Sequence, residues 1–73
     1  MRGDKRLIEA AMRLAGITTA KELAAASGLG YETARCIVIG APANRASFAR
    51  AAKALGVKAI DIIALDAEGR VVE

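Results

Sequence analysis

The chain has 73 residues, a formal net charge of +3 and a pI near 9.5, enough for one small domain with a modest core. Its hydrophobic fraction of 55 % is dominated by alanine, with one Phe, one Tyr and no Trp, and alanine is the best helix former, so the class expected is all-α. The lone Cys36 and the absence of His exclude an intramolecular disulfide and a Cys/His metal site, so no metal and no cofactor are expected.

In chain order, Met1 to Arg6 is a basic start with Arg2, Lys5 and Arg6. Asp4 suits the positive end of a first helix running to about Ala15. Leu7, Ile8, Ala11, Met12, Leu14 and Ala15 recur there at spacings of three and four, which predicts its apolar stripe. Gly16 ends it. Thr19 then begins a second helix, with Glu22 three residues on completing a capping box and Leu23 and Ala24 inward. Gly28 is the stop, because a left-handed turn carries no penalty for a residue without Cβ. Leu29 plugs the turn and Gly30 opens a third helix with Ala34 and Ile37 on its buried side. Gly40 closes that helix and Pro42 forbids its continuation.

Asn44 caps a fourth helix whose stripe is Phe48, Ala51, Ala52 and Leu55, with Arg45, Arg50 and Lys53 off it. After Gly56, a fifth short helix is expected near Ala59–Leu65, with Ile60, Ile63 and Ala64 inward. Asp66-Ala67-Glu68-Gly69 reads as a turn, and Arg70–Glu73 as a frayed end or a short strand. The division expected is a domain over 1–66 and a C-terminal tail over 67–73.

The charge is uneven. Residues 1–53 carry nine Lys/Arg and four Asp/Glu, and residues 54–73 carry two against four. A basic body with an acidic end points to an anionic partner on one side or to an ordinary solvated surface. No apolar run approaches a membrane span of about 18–20 residues and no signal-peptide core is present, so a cytoplasmic setting without membrane is expected.

Two motifs in order, Leu23-Ala24 with Gly28-Leu29, Ala34, Ile37 and Gly40, and then Asn44 with Phe48-Ala49-Arg50-Ala51-Ala52-Lys53-Ala54-Leu55-Gly56-Val57, resemble the lambda-repressor-like (Cro/C1-type) DNA-binding domains over about Leu7 to Leu65. The resemblance implies a compact five-helix fold with a helix-turn-helix at helices two and three. It also implies a bacterial or phage transcriptional regulator on duplex DNA, with the helix at about 30–39 in the major groove. Ala20 stands where the family often has a DNA-contacting Gln, and Val38-Ile39 where a polar pair often precedes the glycine.

With Ala34 and Ile37 inward, a period of 3.6 leaves Tyr31, Glu32, Arg35, Cys36 and Ile39 on or near the outer face. Arg35 suits a guanine edge, Glu32 a cytosine amine, and Tyr31 a base, a phosphate or a thymine methyl. Thr33 lies between core edge and groove. Thr19, Lys21, Asn44, Arg45 and Ser47, at the starts of helices two and four, are candidates for phosphate contacts, and Arg2, Lys5 and Arg6 for an arm along the backbone. A homodimer is expected, since pairing half-sites extends a short footprint. Its apolar material would be Ile62 on the outside of the fifth helix with Val71-Val72, or Val38 and Ile39.

Two other readings stand beside this one. Gly28-Leu29-Gly30 also fits a helix-hairpin-helix, which offers turn N–H groups to phosphate without reading sequence. A protein-interaction module, such as an antitoxin, belongs to a different class. An enzyme is not expected: no Ser or Cys has a base at triad-like spacing, and Arg35, the cation next to Cys36 in sequence, points about 100° away from it on a helix.

Overall fold

The carboxylate of Asp4 starts the first helix. In the computed structural model, which describes Met1–Glu73, one oxygen of Asp4 accepts the N–H of Arg6 at 3.0 Å and of Leu7 at 3.2 Å, placing an anion at the positive end of α1 (Lys5–Ala15). Three more helices follow: α2 (Ala20–Ser27), α3 (Tyr31–Ile39) and α4 (Arg45–Leu55). Thr19 Oγ1 caps α2 by accepting the Glu22 N–H at 3.1 Å, and Asn44 Oδ1 caps α4 by accepting the Ser47 N–H at 2.8 Å.

The box around Thr19 differs from expectation in one partner. Glu22 reaches back past Thr19 and accepts the Thr18 N–H at 3.0 Å and the Thr18 hydroxyl at 2.8 Å. The N–H bond first, and the hydroxyl second, hold the Glu22 carboxyl below its ordinary 4.5.

Helices α2 and α3 are joined by Gly28, Leu29 and Gly30. Gly28 has φ +74° and its N–H donates to Ala24 O at 3.0 Å, so the chain turns sharply in a conformation that other residues resist. α3 ends as Gly40 N–H bonds Ile37 O at 3.3 Å and Ala41 N–H bonds Cys36 O at 2.9 Å, which feeds the chain into the Pro42 loop.

The core comprises Ile8, Ala11 and Met12 from α1, Leu23 from α2, Ala34 and Ile37 from α3, and Phe48, Ala51, Ala52 and Leu55 from α4, with Ile62 and Ile63 closing it. α2 packs on α3 and α4, and α1 packs on the same two helices. The small Ala34 and Ala51, both fully buried, permit close approach of their helices. Leu7, Leu14 and Ala15 depart from the expected stripe: the two leucines are 47 % and 90 % exposed, and Ala15 at the helix end is exposed as well. Ile8, Ala11 and Met12 already span the arc of α1 that meets its neighbours, and both leucines fall outside it.

The fifth helix is a single 3₁₀ turn, Ala59–Asp61, capped by the Asp61 carboxylate on the Lys58 N–H at 3.0 Å. Beyond it the chain extends. Ile62 is buried and Ile60 is 54 % exposed, the reverse of the expected faces; only Ile63 points inward as the helical spacing required. Isoleucine at 60, 62 and 63 disfavours helix through its stiff β-branch. The segment's backbone groups instead pair with the start of the chain: Asp4 N–H with Ile62 O at 2.8 Å and Ala64 N–H with Arg2 O at 2.9 Å, with an antiparallel bridge between Gly3 and Ile63.

Those bonds fix the basic start in place. Arg2 N–H donates to Val72 O, Val72 N–H to Ala64 O and Ala64 N–H to Arg2 O, at 3.0, 3.0 and 2.9 Å, so three distant segments close a ring of backbone bonds. Gly3 is buried beside it, and a Cβ there would collide with Ile8 Cδ1 and sit 3.1 Å from Phe48 Cε1 and 3.3 Å from Ile62 O. The Asp66–Gly69 turn forms as expected: Asp66 Oδ1 accepts the N–H of Glu68 and of Arg70, both at 2.9 Å. Residues 70–73 make one bridge, Leu65 to Val71, and no strand. The whole is a mostly helical domain of four helices with no strands.

Candidate functional site

Helix α3 has two unlike sides because its sequence does. Ala34 and Ile37 are fully buried, while Tyr31 is 52 % exposed and Glu32, Arg35 and Ile39 are also open to solvent. Thr33 and Cys36 are half-buried on the flank of α3 that turns toward α4. There a cleft of about 200 Å³ is lined by Glu32, Thr33 and Cys36 of α3, Pro42, Ala43 and Asn44 of the loop, and Ser47 of α4. Five of the candidate residues therefore share one concave surface: Glu32, Thr33, Cys36, Asn44 and Ser47.

Tyr31 and Arg35 lie on the exposed side of α3 outside that cleft. Thr19, Lys21 and Arg45 are exposed at the starts of α2 and α4. Ser47 differs from the surface role expected of it: it is buried at 8 % exposure, and its N–H is held by Asn44. Cap and contact share one side chain at Asn44, since the amide oxygen caps α4 and the NH₂ group remains a donor. Thr19 Oγ1 is likewise engaged as a cap.

The three helix starts differ in charge. Glu22 and Glu32 stand in the first turns of α2 and α3, whereas the first turn of α4 has no acidic residue. The positive end of α4 thus has no carboxylate of its own turn, and Arg45 adds a full charge there, while Glu32 faces it from α3 across the cleft. The cleft carries the acidic Glu32 on one side and the start of α4 at Asn44 on the other, and Arg45 lies next to Asn44 outside its lining.

Pro42 and Ala43 are not among the site residues expected from the sequence, where Pro42 serves only to end the third helix. They line the cleft because the Ala43 N–H donates to Met1 O at 2.8 Å, a tie between residues forty-two positions apart that no local pattern announces. Arg2, Lys5 and Arg6 have exposed side chains, but the backbone of residues 1–4 is bonded into the body rather than extended as an arm.

Two further grooves lie apart from this surface. One of about 380 Å³ runs between α1 and α3 over Met12, Ile17 and Val38; one of about 450 Å³ lies between α2 and α4 beside Arg50 and Lys53. No group of three or more metal-ligating side chains converges, and no helix is long and apolar enough to cross a membrane. Searches against protein-family models, curated proteins and solved structures return no match.

Proposed function

We propose that this chain binds double-stranded DNA sequence-specifically, as a transcriptional regulator of the lambda-repressor-like kind. α2 and α3 are its helix-turn-helix, and α3 enters the major groove. The observation that carries the reading is the division of α3: Ala34 and Ile37 anchor it fully in the core, and Tyr31, Glu32 and Arg35 stand free on its other side. α3 is a regular α-helix of nine residues, and a helix with its side chains is about 10–12 Å across, which a major groove about 12 Å wide accepts.

Roles follow from chemistry and position. Arg35 is the guanine reader, through two parallel hydrogen bonds, and Tyr31 and Glu32 contact neighbouring bases. Asn44, Arg45 and the start of α4 hold phosphate, as do Thr19 and Lys21 at the start of α2. Ser47 acts from the floor of the cleft by supporting Asn44. The regulator works as a homodimer on paired half-sites, in the cytoplasm of a bacterial or phage-infected cell. The likeness to the lambda-repressor-like domains rests on the two sequence motifs at Leu23–Gly40 and Asn44–Val57, and the fifth helix is reduced to one turn.

A helix-hairpin-helix would bring phosphate to the Gly28–Gly30 turn. The start of α3 carries no side-chain cap, which favours that alternative, but Glu32 in the first turn of α3 would repel phosphate there. Selection from a random duplex pool decides the matter: a shared motif among retained sequences is the expected result. Retention without a motif would indicate backbone binding only, and no retention a protein partner instead.

A further inference from the structure

One peptide group joins the loop of the candidate site to the last residues of the chain. The Met1 carbonyl accepts the Ala43 N–H at 2.8 Å, and the Arg2 N–H donates to Val72 O at 3.0 Å. That carbonyl and that N–H belong to the same peptide, which is trans and so points them in opposite directions. A run of hydrogen bonds therefore passes from Ala43 through the Met1–Arg2 peptide to Val72, each bond polarising the next. Val72 is itself tied back, its N–H to Ala64 O and the Ala64 N–H to Arg2 O.

The Ala43 end of this run matters because the loop there has little else to hold it. Pro42 has no N–H to give, and over residues 42–44 the Ala43 N–H is the one donor bonded to another backbone group. Met1 and Ala43 both pack against the core. Gly3 O lies 3.9 Å from where a Cβ on Gly40 would stand, so residues 1–3 also lie against the end of α3. Directly after Ala43 come Asn44, which caps α4, and Arg45.

We infer that residues 71–73 shape the candidate site from a distance: through the Met1–Arg2 peptide they fix the loop that presents Asn44 and Arg45. Met1 and Arg2 are then positioning residues, whose backbone acts on phosphate only through that loop. The consequence for DNA rests on the function proposed above; the coupling itself does not. Such a coupling is reciprocal, so loosening either end of the run loosens the other.

Amide hydrogen exchange, followed by nuclear magnetic resonance on the full chain and two variants, tests the coupling without DNA. One variant ends at Arg70 and lacks both Val72 bonds, with circular dichroism to verify its helices. The other carries lactic acid in place of Ala43, which replaces the N–H by an ester oxygen and keeps the methyl group. A hydrogen bond lost is worth roughly 2- to 12-fold in an equilibrium. The Ala43 N–H of the shortened chain should therefore exchange about 2- to 12-fold faster relative to the amides of Leu23 and Ile37. In the ester, the Arg2 N–H should speed up by a similar factor. The shortened chain is also titrated against a selected duplex and a scrambled one. It should lose the same factor on both, at least ~2-fold, because the loop holds phosphate while α3 is untouched. Removing Glu73 takes away a negative charge and by itself would strengthen DNA binding, so a loss reports the loop. Unchanged exchange at Ala43 in the shortened chain, or at Arg2 in the ester, overturns the inference. So does acceleration shared equally by Leu23 and Ile37, which would be a loosening of the whole domain. Undiminished affinity, or a loss confined to the selected duplex, overturns the positioning role. If the full chain binds neither duplex, the DNA-binding proposal fails and exchange alone decides the coupling.

Discussion

Replacing Gly3 with alanine adds one methyl group at a place with no room for it. The new Cβ would collide with Ile8 Cδ1 and lie 3.1 Å from Phe48 Cε1 and 3.3 Å from the Ile62 carbonyl oxygen. The end of Ile8 can rotate away. The Phe48 ring is fully buried and the Ile62 carbonyl is held by the Asp4 N–H, so neither yields freely. Overpacking of this kind costs about 1–3 kcal/mol, and because the severest clash is with the far end of one side chain, Gly3→Ala falls in the lower half, at about 1–2 kcal/mol. In a domain of this size each kcal/mol moves the melting temperature by about 4–8 °C, so a drop of roughly 5–15 °C is expected. Thermal denaturation followed by far-ultraviolet circular dichroism measures it. An unchanged Tm would mean that residues 1–4 leave the body in solution and that the ring joining Arg2, Ala64 and Val72 does not hold.

Other substitutions test separate links. Gly28→Ala forces a Cβ into φ +74° and should cost about 1–2 kcal/mol by the same melt; no loss would mean that α2 and α3 are joined by another turn. Phe48→Ala empties the centre of the core and should cost about 3–5 kcal/mol, enough to abolish a cooperative melt in so small a domain. Glu22, whose carboxyl is held below its ordinary range by the Thr18 N–H and hydroxyl, contributes stability that is present above its unfolded pKa and lost as pH falls through the lowered folded value. The difference in Tm between wild type and Glu22→Gln should therefore be seen at neutral pH and vanish in strong acid; a difference independent of pH would remove the ionised carboxylate from the explanation.

What the sequence makes legible here is what is local. Asp4, Thr19 and Asn44 cap helices because a short polar side chain reaches an N–H two or three residues on, and each does so. Phe48, Ala51, Ala52 and Leu55 form one stripe because nothing but the helical period decides it. The exposure of Tyr31, Glu32 and Arg35 follows once Ala34 and Ile37 are recognised as the anchors of α3. Residues 59–65 depart from the expected helix for the opposite reason. Ile60–Leu65 is apolar enough for a short helix, and its true partners, Arg2 to Asp4, lie some sixty residues earlier. That pairing turns Ile62 inward and Ile60 outward. Leu7 and Leu14 share the period of Ile8, Ala11 and Met12, so spacing alone cannot say which apolar side of α1 meets the core. In the candidate site, Asn44 and Arg45 could be named from the helix start, but the burial of Ser47 depends on how α4 packs beneath α3, and the place of Pro42 and Ala43 on the distant bond from Ala43 N–H to Met1 O.

Titration of wild type, Arg35→Ala and Arg45→Ala against a selected duplex and a scrambled one, at two salt concentrations, tests the proposed function most directly. Arg35 should read a base, so Arg35→Ala should cost roughly 1–3 kcal/mol per half-site on the selected duplex and little on the scrambled one. Arg45 should hold phosphate, so Arg45→Ala should weaken both duplexes alike and lower the salt slope by about one per site. If Arg35→Ala loses the same factor on both duplexes, Arg35 does not read sequence. If wild type fails to distinguish the two duplexes at all, sequence-specific binding through α3 is contradicted.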